Sequence, residues 1–157
     1  MSIVVRRDDL SSPEVQSLIF EHLSEMHANS PPDHAHAMAI ENLRATNITF
    51  WSAWFDDDLC GCGALKELDS LTGEIKSMRT RAAFLRRGVG QAILDEIVRS
   101  GRQRRYSRLL LETGTGPAFE SAHALYLRNG FEWTAPFDEY HATDFNVFMA
   151  KSLASPV

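Results

Sequence analysis

Cysteine is almost absent from this chain of 157 residues: Cys60 and Cys62 are the only two. Separated by a single glycine, they are too close for an ordinary disulfide, and no second pair exists to complete a zinc site. A mixed site with His34 and His36 can be drawn, but the two pairs lie far apart in sequence. The reading adopted is two small buried thiols on one face of a strand, with no metal. Long apolar runs are missing too, so nothing reaches the length needed to cross a bilayer, and the N-terminus lacks the basic and then apolar regions of a secretory signal. No membrane partner and a cytoplasmic location are the expectations. Basic charge is also scarce: 16 Lys and Arg against 21 Asp and Glu give a formal net charge of -5, which argues against a nucleic-acid partner. With no repeat, low-complexity tract or linker, a single domain over 1–157 is expected.

What is present reads as alternating strands and helices. Ile3 to Arg7 is a β-branched run. Ser12 is placed to cap a helix with Pro13 at its first position and an apolar stripe of Val15, Leu18, Ile19, Leu23 and Met26. Ser30-Pro31-Pro32 stops it, and Ala37 to Leu43 predicts a second, shorter helix. Ile48 to Phe55 and Leu59 to Leu68 predict a hairpin about Asp56-Asp57-Asp58. Ser70 to Gly73 reads as a turn and Glu74 to Thr80 as a strand. Val89, Ile93, Leu94, Ile97 and Val98 mark an amphipathic helix with a solvated basic end from Arg99 to Arg108. Leu109-Leu110-Leu111 suits a strand buried on both faces, and Pro117 to Arg128 a helix closed by Asn129-Gly130. Phe131 to Thr134 and Phe145 to Ala150 complete the strands. A strand–helix–strand unit around Glu74 and Leu110 implies a parallel pair. The fold class expected is α/β, a mixed, largely antiparallel sheet with a central parallel strand pair and helices on both faces.

The segment Leu85-Arg86-Arg87-Gly88-Val89-Gly90-Gln91 carries the functional signal. A helix start leaves backbone N–H groups without intrahelical partners and gains partial positive charge from the helix dipole. Glycines let a phosphate approach those amides, and Arg86 and Arg87 add formal charge, so the loop reads as a pyrophosphate site. A dinucleotide fold would use Glu112 on a ribose, but its third glycine falls at Ile93 and the turn after the strand is too long. A phosphate-binding Gly-x-x-x-x-Gly-Lys-Ser/Thr loop occurs nowhere.

The third reading is a coenzyme A site, and here the chain resembles the GNAT superfamily of N-acetyltransferases. Their loop reads Gln or Arg, two residues, Gly, one residue, then Gly or Ala; Gly88 and Gly90 match and Leu85 departs. A distal family pattern, Asn-x-x-Ala-x-x-Leu-Tyr-x-x-x-Gly-Phe, is matched at Ala122, Leu125, Tyr126, Gly130 and Phe131, with Phe119 at the Asn position. Gly73-Glu74-Ile75-Lys76-Ser77-Met78-Arg79 and Leu111-Glu112-Thr113-Gly114 are similar to phrases in small bacterial members. The resemblance implies acetyl-CoA as co-substrate, bound by Met78, Arg79, Thr80, Arg86, Arg87, Gly88, Val89, Gly90 and Gln91. It implies transfer of the acetyl group directly to a primary amine of a small molecule, and homodimers are common in the family. An acetyl-CoA-binding sensor without turnover is the alternative.

Transfer to an amine needs a neutral nucleophile, a donor for the oxyanion and a proton for the departing thiolate. An amine like that of lysine has a pKa near ~10.4, so a base has to help at neutral pH. Glu74 is the first candidate, by its strand position and its resemblance to glutamate-dependent members; equally, it is a solvated or ion-paired residue for which Lys76 competes. In a regular strand Glu74, Lys76, Met78 and Thr80 would share a face. Glu112 is the second candidate, or else a helix cap or arginine partner. Tyr126 is the acid the resemblance implies, against a plain core aromatic. A backbone N–H near Met78 or Arg79 is implied as the oxyanion donor. His22 and Met26, four apart on the first helix, are the acceptor-side candidates, with a hydrogen-bonded helix histidine as the alternative for His22 and core packing for Met26.

Overall fold

The computed structural model describes residues 2–26, 40–138, 140 and 146–153, with the backbone alone for 23–26. The expected stop at Ser30-Pro31-Pro32, His34, His36, the first part of the second helix, Phe145 and the Met26 side chain lie outside the described residues. The elements are β1 (Val4–Arg7), α1 (Pro13–Met26), a helical stretch over 40–43 (α2), β2 (Ile48–Phe55), β3 (Asp58–Asp69) and β4 (Thr72–Thr80). They continue with α3 (Val89–Gln103), β5 (Arg108–Gly114), α4 (Glu120–Arg128), β6 (Glu132–Thr134) and β7 (Asn146–Ser152). Hydrogen bonding links seven strands in the order β1-β2-β3-β4-β5-β7-β6. β4 and β5 run parallel, while β1–β2, β5–β7 and β6–β7 are antiparallel. The expected mixed sheet with one parallel pair is what forms. Thr72 and Gly73, expected in a turn, belong to β4, because their strand partners are Arg108 and Leu109.

The chain packs as two compact units, Met1–Leu65 with Ser77–Ile97, and Lys66–Lys76 with Val98–Val157. In the first unit the Ser12 hydroxyl accepts the Val15 N–H at 3.2 Å, so the cap forms as its sequence predicts. The buried stripe of Val15, Leu18 and Ile19 then packs with Leu10, Phe50, Trp54, Leu59, Cys62 and Ala64. The alternation of β3 explains its Cys60-Gly61-Cys62-Gly63-Ala64 run. Cys62 and Ala64 face α1, and both cysteines are buried free thiols. The glycines face α3: a Cβ on Gly61 would lie 3.0 Å from Val89 and 3.2 Å from Ile93, and one on Gly63 would lie 2.6 Å from Ile93. Two strand glycines thus let a helix lie directly on the backbone.

In the second unit Leu109, Leu110 and Leu111 are all buried, as a two-faced strand requires. Gly101 on α3 lies against Leu109 and Leu153, where an added Cβ would meet Leu153 at 2.9 Å. The expected helix over Pro117 to Arg128 begins as a 3-10 turn, Pro117–Phe119, before α4. Gly130, at φ +86, ends α4, with Phe131 N–H bonded to Tyr126 C=O at 3.1 Å.

The most intolerant of these glycines is Gly61, whose missing Cβ would also sit 2.5 Å from the Arg79 carbonyl oxygen, a backbone atom that cannot rotate away. Gly61→Ala is expected to destabilise the protein by about 1–3 kcal/mol, the usual cost of overpacking. Urea denaturation checks this; a loss below about 0.5 kcal/mol, the surface-substitution range, would mean that β4 yields freely.

Candidate active site

The glycine loop belongs to the first unit. A 3-10 turn, Ala82–Phe84, follows β4, and Leu85 and Arg86 lead to Gly88 at φ +83. A Cβ on Gly88 would meet nothing within 4 Å, so the backbone conformation and not internal packing calls for glycine there. The first bond of α3 runs from Ala92 N–H to Gly88 C=O at 3.0 Å. The amides of Val89, Gly90 and Gln91 therefore precede the helical ladder, and Arg86 and Arg87 beside them are exposed. This donor set fits a pyrophosphate. Leu85, where the family pattern has Gln or Arg, is exposed and adds nothing polar.

Immediately before the loop, Ser77 adopts φ +56, a left-handed conformation inside β4. Such a residue breaks period-2 alternation, so Met78 and Thr80 do not continue the face of Glu74 and Lys76 as a regular strand would. The Ser77 carbonyl accepts the Cys62 thiol at 3.3 Å. Arg79 sends its guanidinium to Glu21 of α1 at 3.5 Å, and Arg81 donates to the Leu59 carbonyl at 3.2 Å. Both arginines are thereby engaged by protein groups. His22 is half-buried on α1.

The second unit gathers the carboxylates. Glu74 pairs in register with Leu110, and Glu112 stands opposite Phe148 on β7. Glu74 is not the solvated residue that its strand-start position allowed: it is 1% exposed. Its Oε2 accepts the Tyr140 hydroxyl at 2.6 Å and lies 3.5 Å from Lys76 Nζ, so the competition from Lys76 is real. Its Oε1 is buried and has no hydrogen-bond partner among the described residues. Lys76 Nζ also donates to the Tyr140 oxygen at 3.1 Å. Tyr140 is half-buried and rests on Phe137 and Phe148, with ring centroids 5.3 and 5.7 Å away. Burial first, then the hydrogen bond to Glu74, push its phenol far above the ordinary tyrosine range.

Among the described residues the hydrogen-bond partner of Glu112 is Asn146, which donates its amide to Glu112 Oε2 at 2.8 Å, and not a helix end or an arginine. Tyr126 is buried with its ring edge-on to Phe131 at 5.4 Å, and burial raises its phenol well above the ordinary range. It therefore stays protonated, and any thiolate it serves has to share the same desolvated surroundings for the transfer to be favourable. Phe119, at the family's Asn position, covers Gly114, where an added Cβ would lie 2.5 Å from the ring.

Sequence reasoning missed Tyr140, Asn146 and Phe148. Tyr140 is 66 positions from Glu74 and lies in no motif, so no local signal marked it. The first unit also holds a cavity of about 460 Å³ among Arg7, Asp8, Asp9, Leu43, Arg44 and Phe50, which contains none of the expected site residues.

A strand–loop–helix with two glycines at a helix start, in a seven-stranded sheet with a central parallel pair, defines a mixed α/β fold with a helix end suited to an anionic group. The acetyltransferase (GNAT) family profile matches residues 16–131. The chain belongs to that family and is an acyltransferase. It is 50% identical over 149 residues to the uncharacterized N-acetyltransferase YsnE of Bacillus subtilis (strain 168), covering 95% of this chain and 99% of that one. To the uncharacterized N-acetyltransferase YedL of Escherichia coli (strain K12) it is 44% identical, covering 95% and 94%. Among solved structures, an aminoglycoside 6'-N-acetyltransferase complexed with coenzyme A superposes with a TM-score of 0.76 at 12% identity, over 98% of this chain and 99% of that one. Among the described residues no helix is long and apolar enough to cross a membrane.

Neither cysteine is suited to carry an acyl group. Burial pushes the Cys62 thiol up to about 12, and burial also raises Cys60. Both thiols are expected to resist iodoacetamide at pH 8 in the folded protein and to react fully in guanidinium chloride. Mass spectrometry checks this, and fast native alkylation of either would reopen a covalent route.

Proposed function

We propose that the chain transfers an acetyl group from acetyl-CoA directly to a primary amine of a small molecule. The observation that carries this reading is the start of α3, where Gly88 and Gly90 leave the amides of Val89, Gly90 and Gln91 ahead of the helical ladder. Those amides, with Arg86 and Arg87, hold the pyrophosphate. The backbone at Met78, Arg79 and Thr80 holds the acyl arm, and an N–H there receives the oxyanion. Glu74 takes the proton of the amine, with Glu112 as the second candidate base, and Tyr126 gives a proton to the departing thiolate. His22 and Met26 stand on the acceptor side. The net charge of -5 favours a cationic acceptor through steering. A second copy of the chain, in a homodimer, is the partner that family membership suggests, and the cytoplasm the compartment.

The acceptor is found by measuring free-thiol release from acetyl-CoA with a panel of spermidine, lysine, kanamycin and a short peptide with a free N-terminus. No release above the acceptor-free rate with any of them would count against a small-molecule amine. Gly88→Val and Gly90→Val are expected to weaken acetyl-CoA binding at least tenfold in calorimetry, and Arg102→Ala, in the last turn of α3, to leave it within about twofold. Equal effects would move the pyrophosphate elsewhere.

The acid and base are separable in steady-state kinetics. Tyr126→Phe should lower kcat and keep acetyl-CoA affinity, since shape is retained and the proton is lost. Glu74→Gln should lower the neutral-pH rate by ~10²–10⁴-fold, with recovery at alkaline pH where free amine is abundant. Parent rates for Glu74→Gln alongside a loss in Glu112→Gln would transfer the role to Glu112.

A further inference from the structure

A base has to reach its proton, and Glu74 does not reach solvent. At 1% exposure, with Oε1 fully enclosed, its carboxylate has no open path to an amine arriving from outside. The partner of Glu74 that is not fully buried is Tyr140, a half-buried residue whose hydroxyl donates to Glu74 Oε2 at 2.6 Å and accepts from Lys76 Nζ at 3.1 Å. A phenol oxygen has two acceptor lone pairs, and Lys76 occupies one. The other has no partner among the described residues.

We propose that Tyr140 is the proton relay between the acceptor amine and the buried Glu74, with Lys76 fixing its hydroxyl. The inference rests on the reading of Glu74 as base. As the amine nitrogen bonds to the acyl carbon, its N–H proton passes to the Tyr140 oxygen while the Tyr140 proton passes to Glu74 Oε2. Tyr140 begins and ends as a neutral phenol and Glu74 ends as the neutral acid, while the thioester carbon–sulfur bond breaks, coenzyme A leaves as its thiolate and the nitrogen ends as an amide. The two transfers are coupled because the phenolate is disfavoured: burial and the Glu74 charge hold the Tyr140 proton in place until another replaces it. The charged groups around the hydroxyl are Glu74 and Lys76 of β4, Glu112 of β5 and Asp138 of the loop that carries Tyr140. Phe137 and Phe148 hold the ring at 5.3 and 5.7 Å, so the oxygen does not depend on a mobile side chain for its place.

Tyr140→Phe keeps the ring and its packing and removes only the oxygen. With the fastest amine of the panel as probe, Tyr140→Phe and Glu74→Gln should each lower kcat ~10²-fold or more at neutral pH. The double variant should be no slower than the slower single, because the two act as one unit. Both should regain rate as pH rises toward the ionisation of the amine, and acetyl-CoA affinity should stay within about twofold of the parent. A parent rate for Tyr140→Phe with Glu74→Gln impaired would overturn the relay and leave Glu74 as base. Parent rates for both would overturn the base reading, and the relay with it. A Tyr140→Phe loss that alkaline pH does not rescue, or losses that multiply in the double variant, would each reduce Tyr140 to packing.

Discussion

The contact on which the first unit depends is that of α3 with the bare backbone of β3. Gly61 and Gly63 remove the side chains that would otherwise hold a helix at normal helix–sheet distance, and Val89, Ile93 and Ile97 occupy the space. Because Val89 and Ile93 are fixed there, the first turn of α3 is fixed too, and its amides stand in front of Gly88 in a constant geometry. On the other face of β3, Cys62 and Ala64 give α1 a small-residue surface of its own. One alternating strand thus seats helices on both faces. The close approach leaves no slack: Arg79 passes its carbonyl within 2.5 Å of the place where a Gly61 Cβ would stand.

The second unit accepts a cost of a different kind. Burying a carboxylate with one oxygen unpartnered costs free energy of about 1–3 kcal/mol or more. Proteins retain such groups where the charge is used, since a hydrophobic residue of similar volume would pack at least as well. Tyr140 and Lys76 meet half of the demand of Glu74 and leave the rest open. By contrast Glu112, half-buried and bonded to Asn146, carries no such tension. The difference between two carboxylates on neighbouring strands is one of environment alone.

Departures from the family pattern have local consequences. Leu85 is exposed, where a polar residue would add a side-chain donor, so the donors the loop presents are its backbone amides, Arg86 and Arg87. Phe119 replaces a polar side chain with a ring over Gly114, which in turn has to be glycine. Membership of the family fixes the acyltransferase chemistry.

Most elements were legible because they follow local rules. The Ser12 cap, the Pro13 start, the Gly130 stop, the alternation of β3 and the apolar run of β5 each depend on a few adjacent residues, and each formed. The glycine loop was legible for the same reason. What failed depended on distance. Period-2 reasoning carried the Glu74 face through to Thr80, but Ser77 turned left-handed, with its carbonyl beside Cys62 of the neighbouring strand. Nothing around Glu74 announced burial, because its partner Tyr140 lies 66 positions away. The sequence by itself determined which segments are helix and strand and that Gly88 and Gly90 open a helix, since backbone preference and helix-end chemistry act over a turn or two. Only the tertiary structure decided that Glu74 is enclosed and Glu112 is not. The environment of a charge is set by whatever the β4–β5–β7 register and the loop before β7 bring beside it, and no local pattern encodes that pairing.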